Sequence, residues 1–158
     1  MRALTIHQPY AELVARGEKR VENRSWRTHY RGPLAIHAGQ STVRCGETDL
    51  WGGNRDAHED LLDFGAIIAV CELVDCLNIE AVRRARPLFT TRVSLDALPG
   101  QLGWVATHAH AEGPWCWVLE DVRRLAEPVR CVGRQSLWVP PAEVVAAIEA
   151  QLYAGSDQ

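Results

Sequence analysis

Hydrophobic residues along the chain recur either in the short runs and alternations that are typical of strands or at the wider spacing that is typical of helices. Residues 1–6 alternate weakly between apolar and polar side chains, which indicates a short strand. Residues 65–77, GAIIAVCELVDCL, are almost continuously apolar and rich in β-branched side chains, a pattern typical of a buried strand. The other predicted strands cover residues 19–26, 32–39, 115–125 and 136–140.

Helical spacing appears near both ends of the chain. In residues 8–17, QPYAELVARG, Pro9 suits the first turn of a helix and Gly17 suits its end. Residues 140–153 place apolar side chains on one stripe from Val144 onwards. The sequence therefore predicts one helix after the first strand and another that closes the chain.

The middle of the chain gives weaker signals. Residues 41–64 are polar and carry Gly52-Gly53-Asn54, which predicts one or two short helices around a mobile loop. Residues 79–85 indicate a helical turn, and residues 96–103 indicate a loop. Because strands and helices do not alternate regularly, a doubly wound sheet is not favoured. We expect a mixed α/β (α+β) fold: a small β-barrel of about six strands, flanked by helices near both ends.

Composition narrows the class of protein. The chain has 158 residues, 47% apolar and 23% charged, and a formal charge of −3, which fits one soluble domain. We predict a single domain over residues 1–153 and a short flexible tail over 154–158. Proteins that grip long nucleic acids usually carry a basic excess, because their affinity comes from counterion release. If nucleic acid is the partner, a local patch and a pocket must bind it.

Several classes of site and location are not supported. There is no apolar run long enough to span a membrane and no signal-peptide core, so no membrane partner is expected. Five cysteines without a CxxC pair indicate reduced, buried thiols and a cytoplasmic protein. His108 and His110 lie two residues apart, but no third metal ligand is evident, and no phosphate-binding glycine motif occurs. We therefore predict no metal and no cofactor.

Aromatic side chains are frequent, since the chain has six tryptophans. In the predicted strand 115–125, one face carries Trp115, Trp117 and Leu119. Core or seam positions in the barrel are favoured over a ladder of stacking rings for Trp104, Trp115, Trp117 and Trp138.

The most distinctive segment is residues 17–32, GEKRVENRSWRTHYRG. In an extended strand, one face carries Arg20, Glu22, Arg24 and Trp26. Glu22 is placed there to orient Arg24 by a charge-assisted hydrogen bond. A guanidinium beside an indole suits a planar ligand such as a nucleobase, which also stacks on aromatic rings. The alternative is a solvated strand face with ion pairs of little energetic weight. The residues by themselves leave both interpretations open.

The same region carries a family resemblance. Gln8-Pro9-Tyr10-Ala11 is followed by the spacing GxKxxExR at residues 17–24, then by Ser25-Trp26 and YRGPLAIHA at 30–38. Together these motifs resemble the opening of the ASCH family (ASC-1 homology domains) of the PUA-like superfamily. Weaker similarity continues through residues 65–76 and 115–140.

The resemblance implies a PUA-like β-barrel with a cleft beside the first helix. Such a cleft would bind RNA, single-stranded nucleic acid or a free, sometimes modified, nucleoside. The resemblance implies that Lys19, Glu22 and Arg24 line it. By position, the residues expected at the rim or floor are Gln8, Pro9, Tyr10, Ser25 and Trp26. His37 lies on a strand near the cleft, and a core histidine is an equal alternative.

One branch of the family implies catalysis instead. Its members are small amidohydrolases that remove an acyl group from N4-acetylcytidine, using a lysine to activate a threonine with help from a glutamate. Lys19 matches that lysine, but Glu22 stands where the threonine is required, so Glu22 would have to act as a general base. Glu72 is the candidate for a third catalytic residue. RNA cleavage by a lysine–glutamate pair and a role in protein interaction are further alternatives, and oligomeric state leaves no signature in the sequence.

Overall fold

Six strands and four helical segments form the described part of the chain, which comprises residues 1–42, 62–85 and 102–154 of the computed structural model. The strands are β1 Arg2–Gln8, β2 Val21–Arg24, β3 Gly32–Thr42, β4 Ala66–Asn78, β5 Trp115–Arg130 and β6 Leu137–Trp138. The helices are α1 Tyr10–Ala15, α2 Ile79–Ala85 and α3 Ala142–Ala154, with a 3₁₀ helix at Leu102–Thr107.

The strands form one mixed sheet in the order β2-β5-β4-β3-β1-β6. β1 pairs in parallel with β3 and antiparallel with β6, whereas β2 pairs antiparallel with β5. α1 follows the first strand and α3 closes the described chain. The predicted mixed fold, with six strands and helices near both ends, is confirmed.

The chain divides into two compact units, and each is built from separate parts of the sequence. Unit 1 consists of Met1–Glu18, Pro33–Cys71 and Asp121–Gln158. Its core is lined by small and β-branched residues of β1, β3 and β4, packed against one stripe of α3. Ile148 of that stripe is fully buried. Burying one such side chain contributes roughly 1.5–3 kcal/mol, and this burial stabilises the packing of α3 against the core of unit 1.

Unit 2 consists of Lys19–Gly32 and Glu72–Glu120. Its core places Val21 of β2 against Cys116 and Val118 of β5, and Ile79 of α2 joins the same cluster. All four side chains are buried. One face of β2 is therefore fixed to the core, and the alternation of a strand turns the next residues to the opposite face.

Some element boundaries differ from the predicted ones. β5 runs to Arg130 rather than residue 125, and Asp121 within it has a φ of 54°. Residues 126–130 lack an apolar run, so only pairing with other strands reveals them as strand. Leu102–Thr107 forms a 3₁₀ helix where the end of a loop was predicted.

Other predictions concern parts that the structure describes only partly. Most of the polar segment 41–64 lies outside the described residues. α3 extends to Ala154, the first residue of the predicted tail, and the remainder of the tail is likewise outside. The described cysteines are free thiols, whereas Cys45 is not described. Within the described ranges, no helix combines the length and the apolar character needed to cross a membrane.

Candidate functional site

The centre of the candidate site is β2, the four-residue strand at one end of the sheet order. Its register on β5 pairs Glu22 with Trp117 and Arg24 with Trp115. Directly paired residues point to the same face of a sheet, so each charged side chain lies beside an indole. Val21 and Asn23 point to the opposite face, and Val21 anchors the strand in the core.

Lys19, Glu22 and Arg24 form one charged network. The Lys19 ammonium donates to one carboxylate oxygen of Glu22 and, at 2.6 Å, to the Val21 carbonyl. The Arg24 guanidinium contacts the other carboxylate oxygen at 2.9 Å. Both oxygens of Glu22 are therefore held by cations. We call these three residues the signature network.

Burial divides the signature network into an inner and an outer part. The side chains of Lys19 and Glu22 are 3% and 9% exposed, whereas that of Arg24 is 24% exposed. Charged groups are rarely buried without partners, because the loss of hydration is large. Lys19 and Glu22 satisfy each other inside the protein and orient Arg24, which is the member that solvent reaches.

Tryptophans form the surroundings of the signature network. The rings of Trp26 and Trp117 meet edge to face with centroids 4.7 Å apart, and the Trp117 indole donates to the Trp26 carbonyl at 3.4 Å. The Arg27 guanidinium lies 5.6 Å from the centroid of Trp115. Trp117 is fully buried, while Trp26 and Trp115 are half-buried. We call these three rings the tryptophan wall.

Asn23 fixes a neighbouring turn to β2. Its amide donates to the His110 carbonyl at 2.7 Å, and its side-chain oxygen accepts from the backbone amides of Glu112 and Gly113, each at 3.0 Å. The turn that carries His108 and His110 is thereby held to the strand that carries Glu22 and Arg24.

The residues expected at the rim or floor of the cleft fall in both units. Gln8, Pro9 and Tyr10 belong to unit 1, and Gln8 is fully buried. The Gln8 amide donates to the Asp63 carbonyl at 2.7 Å, and its oxygen accepts from the Glu12 amide at 3.0 Å. These contacts make Gln8 a structural link at the start of α1. Pro9 caps this helix and Tyr10 begins it, half-buried.

His37 lies in the interior of unit 1. It is 1% exposed, its Nε2 is 3.1 Å from the Cys131 carbonyl, and its ring meets Trp138 edge to face at 5.7 Å. Burial lowers its pKa, although the hydrogen bond to Cys131 acts in the opposite direction. Nδ1 is buried without a hydrogen-bond partner among the described residues, and Gly133 approaches it closely. In this arrangement His37 is shielded from a ligand in solvent.

The remaining candidates in unit 2 are less closely tied to the network. Ser25 is exposed directly after β2. Glu72 is half-buried on β4 and makes no hydrogen bond or ion pair within the described residues. Trp115 and Trp117 were expected at core or seam positions, and Trp117 is fully buried. Their place beside the signature network, and that of Arg27 at Trp115, were not predicted. Only the β2–β5 register, between segments far apart in sequence, reveals these neighbours.

No cluster of three or more potential metal-ligating side chains occurs in the described ranges. His108 and His110 are ring neighbours, with centroids 5.7 Å apart. The charges of Lys19 and Arg20 also act on His108. A metal cation would be repelled by both, so this pair does not resemble a metal centre.

Comparison with known proteins identifies the family. The sequence model described as "ASCH domain" matches residues 4–129, which is most of the chain. The chain belongs to the ASCH domain family. The resemblance predicted from the first forty residues is therefore confirmed, and the fold is that of the PUA-like domains.

Two curated relatives match this chain over about half of its length. Human activating signal cointegrator 1 is 34% identical over 91 residues, which make up 53% of this chain and 16% of the relative. The mouse protein of the same name is 37% identical over 82 residues, 48% of this chain and 14% of the relative. The match therefore spans only a small part of these longer proteins.

Solved structures show the same fold. The crystal structure of ASCH from Zymomonas mobilis superposes with a TM-score of 0.51 at 14% identity, covering 94% of this chain and 93% of that one. A single-residue variant of the same bacterial protein gives a TM-score of 0.50 at 12% identity, with 94% and 96% coverage.

Proposed function

We propose that this ASCH domain binds RNA or another single-stranded nucleic acid, and that it recognises a nucleobase at Arg24 and the tryptophan wall. The observation that carries the proposal is the arrangement of the signature network. A guanidinium that solvent reaches is held at 2.9 Å by a buried carboxylate, and indoles flank it on the neighbouring strand. Membership of the ASCH family supports a nucleic-acid partner in general.

The chemistry of this arrangement suits a base better than a point charge. An arginine presents a planar fork of donors, which matches paired acceptors on the edge of a base. Trp26 and Trp115 are half-buried beside it, so their rings retain accessible surface on which a base can stack. Stacking of one base contributes about 1–3 kcal/mol. The formal charge of −3 also favours recognition of one or a few nucleotides over tracking of a long duplex.

The same geometry favours binding over hydrolysis. A general base needs a carboxylate oxygen within hydrogen-bond reach of the proton that it removes. Both oxygens of Glu22 already accept from cations, and the Lys19 side chain, 3% exposed, donates to Glu22 and to a backbone carbonyl. Glu72 has no described contact with either. Lys19 and Glu22 are thus engaged in orienting Arg24.

Binding to a fluorescently labelled, mixed-sequence RNA of about eight nucleotides tests the proposal by anisotropy. Arg24→Gln removes the charged fork and should weaken binding about tenfold or more, since a charge-assisted hydrogen bond contributes about 1.5–3 kcal/mol. Arg24→Lys keeps the charge but loses the fork, and should restore little of the affinity. Arg123→Gln is the matched control, because Arg123 is an exposed arginine of unit 1.

Equal affinity of the wild type, Arg24→Gln and Arg123→Gln would contradict the proposal. A parallel assay incubates the domain with N4-acetylcytidine and follows the nucleoside by chromatography. We expect it to remain intact. Release of acetate that depends on Lys19 would replace the binding proposal with the hydrolytic one.

A further inference from the structure

We infer that Arg20, Trp104, His108 and His110 form a phosphate-binding subsite beside the signature network. It would hold a phosphodiester group of the same strand whose base contacts Arg24. This inference rests on the proposed nucleic-acid function and adds a second contact to it. We call these four residues the histidine–tryptophan cluster.

The side chains of the histidine–tryptophan cluster contact one another in series, from Arg20 through Trp104 and His108 to His110. The Arg20 guanidinium lies 4.6 Å from the centroid of Trp104. The Trp104 ring meets His108 at 5.2 Å, and His108 meets His110 at 5.7 Å. The Arg20 side chain is 44% exposed, and the three rings are half-buried. The Arg20 guanidinium is therefore open to solvent, and the three ring residues keep part of their accessible surface.

The hydrogen bonds of His108 determine what it can offer a ligand. Its Nδ1 accepts from the His110 backbone amide at 3.2 Å. A neutral imidazole that accepts at one nitrogen carries its proton on the other, so Nε2 of His108 is a donor. Arginine is a donor at every nitrogen. Arg20 and His108 thus offer donors to an anion, as phosphate oxygens require.

Electrostatics also favour an anion at this position. Burial lowers the pKa of His108, and the positive charges of His110, Lys19 and Arg20 lower it further. A bound phosphate would relieve this repulsion and favour the protonated ring. The described carboxylate nearest to Arg20 is Glu120, at 3.5 Å, with both side chains more than 40% exposed. An ion pair this exposed is weak, so an incoming phosphate can replace it.

β2 connects the two contacts physically. Arg20 immediately precedes β2, which carries Glu22 and Arg24. Asn23 of the same strand holds the His110 carbonyl at 2.7 Å. Base contact and phosphate contact are thus fixed to one short strand, and less conformational entropy is lost when both are occupied.

Salt dependence of RNA binding distinguishes a phosphate contact from a base contact. Each phosphate neutralised on a single strand contributes about −0.7 to the slope of log K against log salt. Arg20→Gln should weaken binding of the mixed-sequence RNA about tenfold at low salt and flatten this slope by about 0.7. Arg24→Gln should weaken binding but keep the slope, and Arg123→Gln should change neither.

NMR titration of the histidine rings provides an independent readout. The probes are the four common ribonucleosides, their 3′- and 5′-monophosphates, and inorganic phosphate alone. A monophosphate should raise the pKa of His108 by about 1 unit, whereas the matching nucleoside should leave it unchanged. In Arg20→Gln the monophosphate should change the pKa of His108 no more than the matching nucleoside does.

The outcomes separate the two proposals. Failure of the wild type to bind any RNA, nucleoside or nucleotide overturns the proposed function. RNA binding that weakens in Arg24→Gln, but with an unchanged salt slope in Arg20→Gln, overturns the phosphate subsite and leaves the proposed function in place. A His108 response to inorganic phosphate that no nucleotide reproduces also overturns the subsite.

Discussion

Replacing Lys19 with methionine tests whether its buried ion pair with Glu22 stabilises β2 and, with it, the folded domain. The Lys19 ammonium and the Glu22 carboxylate contact each other, and their side chains are only 3% and 9% exposed. Removing one partner of a buried pair costs about 3–5 kcal/mol, because the remaining charge is uncompensated. Arg24 still contacts Glu22, so we expect about 3 kcal/mol, or a fall in Tm of about 6–12 °C.

The double variant Lys19→Met/Glu22→Gln provides the decisive comparison. Glutamine carries no charge and still accepts from Arg24, so the double variant should be more stable than Lys19→Met by at least about 1 kcal/mol. Urea unfolding followed by far-ultraviolet circular dichroism measures both, with the m-value as a check on the compactness of each state.

A matched cycle within the same unit uses Arg20→Met and Glu120→Gln. That pair is 3.5 Å apart and more than 40% exposed on both sides, so its coupling should stay below about 0.5 kcal/mol. If Lys19→Met lowers the free energy of unfolding no more than Arg20→Met does, the buried pair does not stabilise β2. The same conclusion follows if the free-energy losses caused by the Lys19 and Glu22 substitutions are additive in the double variant.

Three further predictions concern the packing around the site. Gly133→Ala places a Cβ about 2.6 Å from His37 Nδ1, so it should destabilise the domain by about 1–3 kcal/mol and shift the His37 ring signals in NMR. Gly17→Ala is the control for these signals: its φ of 76° strains an alanine, but a Cβ there meets no atom within 4 Å, so the His37 signals should stay in place. Burial lowers the pKa of His37, so below about pH 6.5 the unfolded chain binds more protons than the folded one. The free energy of unfolding in urea should therefore reach its full value above about pH 6.5 and fall as the pH drops. The fall should be less steep in His37→Asn, and equal steepness would contradict this assignment. Asn23→Ala should cost about 2–3 kcal/mol and speed amide hydrogen exchange at residues 112 and 113, whereas unchanged exchange would show that the turn holds itself.

Much of the fold follows from local patterns in the sequence. The buried strand predicted over residues 65–77 corresponds to β4 Ala66–Asn78, because a strand covered on both faces leaves a continuous apolar run. The closing helix was predicted over 140–153 and lies at Ala142–Ala154, since one apolar stripe identifies it. The second half of β5 has no such run, so only its neighbours in the sheet define it.

The candidate site was predictable only in part. Strand alternation placed Glu22 and Arg24 on one face, and their ion pair is present at 2.9 Å. Lys19 lies three residues before Glu22, and strand alternation places such residues on opposite faces, so it does not predict their contact. The pairing of Glu22 with Trp117 joins segments far apart in the chain, and register between distant strands leaves no local signal.

The order of the strands has a consequence for self-association. Among the strands of the described residues, β2 and β6 stand at the two ends of the sheet order and have only four and two residues. Long, flat outer strands act as templates on which other chains add and form aggregates, whereas short ones bearing charged side chains do not. Two of the four residues of β2 are charged, so this strand also limits the growth of the sheet, and we expect substitutions that neutralise both charges to promote polymerisation.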